Sequence, residues 1–137
     1  MGKEKQIEIE ESREEKEESY FFDSTALVNL FEGNTGYLMY SKSPISITLF
    51  NLAEVYWVIL NKIGEEKAEE AYRLFENAVV KTNGEIIKEA MKFRKAHKNK
   101  GFSYADAIGY ICAKKNNIKF LTSDSQFEDL ENVEFVK

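Results

Sequence analysis

Residues 20–33 read YFFDSTALVNLFEG, and the change of rhythm inside this run decides the fold. Tyr20, Phe21 and Phe22 form a short apolar run that stops at Asp23. From Ala26 the apolar positions Leu27, Leu30 and Phe31 return at helical spacing until Gly33 ends them. A strand passes directly into a helix, and working outward the same alternation repeats. Pro44 opens a β-rich run over 45–49, followed by helices over 52–63, closed by Gly64, and over 65–77, with Ala68, Ala71, Tyr72 and Phe75 inward. Residues 78–80 make a third short strand, 85–98 and 104–116 two further helices, 118–121 a strand, 126–130 a short helix and 133–136 a last strand. Strands alternating with helices imply an α/β fold, a mostly parallel sheet covered on both faces in a three-layer α/β/α sandwich. The sequence carries no internal repeat.

With 137 residues, 43% hydrophobic and 13% aromatic, the chain has material for one core. Its net charge of −5 is unevenly spread: residues 3–18 hold eight glutamates against four lysines and arginines, which leaves about −1 for everything else. The acidic total therefore does not exclude a nucleic-acid partner. Residues 1–19 have almost no apolar side chains beyond Ile7 and Ile9, and are expected to form a charged extension, mobile or a solvated helix, ahead of one domain over 20–137. The single Cys112 lies in an apolar helical stretch, where a buried, inert thiol is expected. No apolar run approaches the roughly 18 residues of a membrane span, and the Glu-rich opening lacks the apolar segment of a secretory signal. A cytoplasmic location is the expectation.

In open parallel sheets, ligands bind beyond the carboxyl ends of the strands, where the strand order reverses. Asp23 and Asp124 each follow a strand directly, so both face that crevice if strands 20–22 and 118–121 are neighbours. Asn51-Leu-Ala-Glu54 and Ser103-Tyr-Ala-Asp106 each set an acid three residues after a good N-cap, in the first turn of a helix. The same spacing is the capping box, and Thr82-Asn-Gly-Glu85 repeats it. Asp23 and Asp124 have a capping reading of their own. Taken together, the four acids make a different case. Carboxylates gathered in one crevice raise one another's pKa or require a cation, and hard oxygens without Cys or His suit Mg²⁺ or Mn²⁺ rather than zinc.

Four runs in this order, Phe22-Asp23-Ser24-Thr25-Ala26-Leu27, Leu52-Ala53-Glu54-Val55, Ser103-Tyr104-Ala105-Asp106-Ala107 and Leu121-Thr122-Ser123-Asp124-Ser125-Gln126-Phe127, resemble the signature of PIN-domain ribonucleases. The likeness is greatest to the small single-domain VapC toxins of VapBC toxin–antitoxin pairs, and it covers about residues 20–137. It implies a PIN-like nuclease domain acting as a metal-dependent endoribonuclease, with Asp23, Glu54, Asp106 and Asp124 as the acidic, metal-holding set and Thr122 as a supporting polar residue. It also implies a homodimer and a VapB-type antitoxin that fills the acidic groove, often with a basic side chain. Two departures stand out. Family members of this size usually begin at the first strand, and Asn51 stands where Thr is common before the helical Glu. On this reading Asp23 and Asp106 contact one or two Mg²⁺ or Mn²⁺ ions directly, while Glu54 and Asp124 hold the ion or its waters. Such an ion stabilises charge developing on the phosphate, and hydrolysis by water leaves 5′-phosphate and 3′-hydroxyl ends.

Lys88, Lys92 and Lys95 share a helical face, with Arg94, His97, Lys98 and Lys100 leading into the loop before Asp106. They suit RNA phosphates flanking a scissile bond, and equally an ordinary solvated face. His97, the only histidine, is read as a surface or boundary residue. Tyr56, Trp57 and Tyr110 either stack bases or, as favoured here, pack. The region of Leu30, Phe31, Tyr37, Leu38 and Tyr40 is a docking or dimer surface, or part of the core. Two other classes share features with the chain. A receiver-like phosphoacceptor calls for adjacent acids after the first strand, and Asp23 has no acidic neighbour. A non-catalytic PIN-like module would bind RNA or protein without cutting.

Overall fold

The structure is a computed structural model that describes residues 18–137; the extension expected over 1–19 lies outside the described residues except for its last two. β1 (Tyr20–Phe22) is buried on both faces because its three aromatic side chains alternate, Tyr20 and Phe22 entering one core and Phe21 the other. It is an inner strand of a four-stranded sheet ordered β2-β1-β3-β4, with β2 (Ile45–Ser46), β3 (Lys119–Thr122) and β4 (Val133–Phe135). Every pairing is parallel. Phe21 lies opposite Phe120 and Phe22 opposite Leu121, so Asp23 and Thr122 leave the sheet side by side. The Asp23 N–H donates to the Leu121 carbonyl at 3.1 Å.

α1 (Ser24–Phe31), α2 (Leu49–Lys62) and α3 (Glu65–Phe75) bury Ala26, Leu27, Leu52, Val55, Ile59 and Phe75 with Phe22 and Leu121. α4 (Gly84–Ala96) and α5 (Tyr104–Lys115) bury Ile86, Ala90, Ala107, Ile108 and Ile111 with Phe21 and Phe120. Each face of the sheet thus has its own core, and the expected three-layer α/β/α sandwich is the observed one. After β1 the chain moves to β2 on one side, then returns across β1 to β3 on the other. The strand order reverses between β1 and β3, which sets the crevice at their carboxyl ends.

Several elements differ from the sequence reading. Residues 78–80 do not join the sheet as a strand: a 3₁₀ turn (Glu76–Ala78) leaves only an isolated parallel bridge from Val79 to Ile47. The short helix expected over 126–130 is a single 3₁₀ turn (Ser125–Phe127). Another 3₁₀ segment (Thr35–Tyr40) buries Tyr37 and Tyr40, half-buried Leu30 and Phe31 pack on the same core, and Leu38 stays exposed with Met39. Tyr110 is packed, its hydroxyl donating to the Glu131 carbonyl at 2.7 Å, and Tyr56 stands edge-on to Tyr72. Trp57 is not packed but 64% exposed, because it follows exposed Ala53 by one turn on the outer side of α2. His97 is a boundary residue that ends α4, its ring against Phe93 and its Nδ1 2.9 Å from the Phe93 carbonyl. Cys112 is buried, and burial pushes its thiol pKa up. No helix among the described residues is long and apolar enough to cross a membrane.

Candidate active site

Parallel register brings Asp23 to the end of β1, and two hydrogen bonds orient it there. As N-cap of α1 it accepts the Ala26 N–H on Oδ1 at 2.7 Å, while its Oδ2 accepts the Thr122 hydroxyl. The same Thr122 oxygen accepts the Asp124 N–H at 3.0 Å. One buried hydroxyl therefore joins the ends of β1 and β3. Asp124 caps the 3₁₀ turn that follows, accepting the Gln126 N–H at 3.0 Å and the Gln126 side-chain amide at 3.3 Å.

Asp106 is held by the capping box of α5. The Ser103 N–H donates to its Oδ2 at 2.9 Å, and its own N–H donates to Ser103 Oγ at 3.0 Å. The box expected from Asn51 to Glu54 does not form, because α2 begins one turn earlier. Thr48 is the N-cap, and Asn51 is the box partner, accepting the Thr48 N–H at 3.1 Å. Asn51 is fully buried, and its amide nitrogen donates to Ser24 Oγ at 3.3 Å, tying α2 to the residue after Asp23. Gly109 of α5 leaves room for it: a Cβ there would stand 3.2 Å from Asn51 Oδ1 and 3.3 Å from the Phe120 ring. Glu54 is thereby freed of a capping duty and lies half-buried past the first turn. At the third repeat of the pattern, Asn83 rather than Thr82 caps α4.

Electrostatics bind the four acids into one neighbourhood. Asp23 is 2% exposed; burial pushes its pKa up to about 7, opposed by its hydrogen bonds from Thr122 and Ala26 and reinforced by the charges of Asp106 and Asp124. Burial likewise lifts Asp106 to about 6, with Glu54 and Asp124 adding to the rise and the Ser103 hydrogen bonds opposing it. None of the ion pairs among the described residues involves any of these acids. Among the described residues their negative charge has no paired cation.

The donor set is hard oxygen throughout, which fits a divalent cation of the Mg²⁺ or Mn²⁺ kind. Among the described residues, no three acidic, histidine or cysteine side chains stand close enough to enclose an ion by themselves. The residues fit a hydrated cation held through one or two carboxylates, the usual habit of Mg²⁺.

Sequence reasoning did not name Thr48, gave Gln126 no contact of its own, did not foresee the tie from Ser24 to Asn51, and placed Tyr37 only in a docking, dimer or core region. Tyr37 is 5% exposed, and its hydroxyl makes no well-formed hydrogen bond among the described residues. Burial raises its phenol pKa, and it lies near Ser123 and within reach of the Asp23 charge. Nothing in the pattern of residues 35–40 marks it, since its place depends on a tertiary contact.

Of the basic residues, Lys88, Lys92, Arg94, Lys95 and Lys98 have exposed side chains. Lys100 does not: its ammonium donates to the Gln126 carbonyl at 2.6 Å and pairs with Asp129 at 3.0 Å. The Gln126 side-chain carbonyl accepts the Gly101 N–H, so the loop before Asp106 is fastened to the turn after Asp124.

The PIN domain family profile matches residues 20–133. No curated protein matches the sequence. Among solved structures, VapC20 of Mycobacterium tuberculosis, described as a sarcin-ricin loop cleaving toxin, superposes with a TM-score of 0.72 at 21% identity, over 87% of this chain and 100% of that one. A toxin–antitoxin complex from Klebsiella pneumoniae matches at 0.66 and 21% identity, over 85% of this chain and 96% of its counterpart. VapBC2 from Rickettsia felis, bound to a DNA fragment from its promoter, matches at 0.64 and 15% identity, over 86% and 98%. At such identities the likeness is one of fold.

Proposed function

This chain belongs to the PIN domain family, and from that premise we propose that it is a Mg²⁺- or Mn²⁺-dependent endoribonuclease, the toxin of a VapBC-type toxin–antitoxin pair. One observation carries the reading: four acids from distant parts of the chain share one electrostatic neighbourhood beyond the carboxyl ends of β1 and β3, and among the described residues none of them is in an ion pair. Asp23 and Asp106 would hold the ion, with Glu54 and Asp124 supporting it or its waters. The ion would supply positive charge for the phosphate oxygens and a water acidic enough to attack at neutral pH. Around it the chain's own groups set the geometry. Thr122 orients Asp23 and steadies Asp124, Ser103 aims Asp106, and the exposed cations of α4 would meet the flanking phosphates.

A VapB-type antitoxin would close the groove by presenting a basic side chain to the acids. The apolar side chains left outward, Leu38 and Met39 after α1 and Phe50 and Trp57 on α2, suit that partner or a second copy of the chain. The protein would act in the cytoplasm, where its substrate is.

The test is incubation of purified protein with structured RNAs in Mg²⁺, Mn²⁺ or chelator, beside Asp106→Asn. The expected result is cleavage that needs the ion, leaves 5′-phosphate and 3′-hydroxyl ends, and falls on the order of 100-fold or more in the variant. Equal cleavage by the variant would assign the activity elsewhere. RNA binding without cutting under every ion would leave a non-catalytic PIN-like module.

A further inference from the structure

Between the last turn of α4 and the first turn of α5 lies an open cavity of about 600 Å³, lined by Met91, Arg94, Lys95, Lys98, Phe102 and Tyr104 among others. Its wall is unusual in one respect. The Tyr104 ring is 61% exposed, although its neighbour Phe102, two residues earlier, is only 2% exposed and stacked on Phe93 and Phe127. Core space lies close at hand, and this ring stands outside it.

Arg94 holds that ring from one side. Its guanidinium carbon is 4.5 Å from the Tyr104 ring centroid, and its Nε donates to the Phe102 carbonyl at 2.8 Å, which fixes the guanidinium in place. The result is a braced aromatic surface bearing positive charge. Lys95 and Lys98 line the same cavity with exposed side chains, and neither takes part in an ion pair among the described residues. Ser103, which holds Asp106 through its backbone N–H and its hydroxyl, also lines the cavity, so the cavity and the acidic site have a residue in common.

An aromatic ring backed by a guanidinium and flanked by exposed ammonium groups matches the chemistry of an unstacked nucleobase and its phosphates. A base within a duplex is already stacked and cannot reach such a ring. Resting on the ribonuclease reading, we propose that this cavity is the subsite for one unpaired nucleotide of the RNA strand beside the scissile bond. The base stacks on Tyr104, with Arg94 bracing the ring, and the adjoining phosphates meet Lys95 and Lys98. The subsite makes the protein selective for loops and single strands through stacking, without demanding a particular base.

The test separates binding from cutting. A single-stranded oligoribonucleotide carrying 2-aminopurine is titrated in chelator with the full chain, with Tyr104→Ala, and with Tyr104→Phe and Tyr104→Trp. Wild type, Phe and Trp variants should quench the fluorophore, while Tyr104→Ala should lose the quench and weaken binding on the order of 10-fold. A perfect duplex of the same sequence should respond equally to all four proteins. Because Tyr104 is exposed, its truncation leaves the core intact, and matched thermal melts check this. Wild-type affinity and quench in Tyr104→Ala would overturn the subsite even if the RNA is cut normally. Loss of binding in Tyr104→Ala would support it even if no protein cuts RNA under any ion, in which case the ribonuclease reading alone fails.

Discussion

When the Thr122 hydroxyl donates to Asp23, its lone pair is left for the Asp124 N–H, so a single chain of hydrogen bonds runs from β1 through β3 to the turn beyond. Thr122→Val removes both bonds while keeping the shape. It should leave the Asp124 N–H unpaired, cost about 1–3 kcal/mol in thermal or denaturant unfolding, and lift the Asp23 pKa further, since the Thr122 bond is one of the two forces lowering it. In an RNA-cleavage pH profile the acid limb should then move to higher pH, with Thr122→Ser largely restoring it. The raised acids also set how stability depends on pH. Asp23 and Asp106 titrate near 7 and 6 in the folded protein against 3.8 for an ordinary Asp, so the folded state binds the extra protons. Their contribution is fully present below about pH 4 and is lost as pH rises through 6 and 7, by about 4 kcal/mol at most for Asp23. For the ion-free protein, these two groups should lower the melting temperature between pH 5 and pH 8. Added Mg²⁺ or Mn²⁺ should raise it more at pH 8 than at pH 5, because the ion binds the ionised form. A flat difference between Asp106→Asn and wild type across that range would contradict the assignment.

At the scale of elements, the helix beginnings show what the sequence discloses and what it hides. Ser103 and Asp106 form their box where the spacing places it, since both partners are local and α5 has no rival cap nearby. Thr48 and Asn51 are both competent caps three residues apart, and local pattern alone does not choose between them. The choice is made by Ser24, 27 residues away in sequence, which draws the Asn51 amide inward and starts α2 at Leu49. Residues 78–80 miscarry for a related reason: their apolar character suits a strand, but the chain arrives in a 3₁₀ turn and meets Ile47, just beyond β2, at one bridge only. The close crossing of α2 and α5 yields its own prediction. Gly109→Ala puts a methyl group 3.2 Å from Asn51 Oδ1 and 3.3 Å from the Phe120 ring, on sides with little freedom to yield. It should cost about 1–3 kcal/mol of stability despite the better helix propensity of Ala, measured as a shift of the denaturation midpoint.

Over the whole molecule, an all-parallel sheet with its order reversed between β1 and β3 is what brings residues 23, 106 and 124 to one end. The alternation of apolar runs made that legible; the division of labour among the lysines was not, because it depends on what each ammonium meets. Lys95→Ala and Lys98→Ala should each weaken RNA binding and lower the slope of log affinity against log salt by about 0.7, with melting unchanged. Lys100→Ala should do the opposite, lowering stability by about 1 kcal/mol and leaving the slope nearly intact, since its charge is spent on Gln126 and Asp129. Gln126 completes this arrangement, reaching Asp124 with its amide nitrogen and Gly101 with its amide oxygen. On the proposed ribonuclease reading, a pull on the basic loop by a bound strand would pass through one side chain to Asp124, and a substitution at Gln126 should then alter affinity and turnover together.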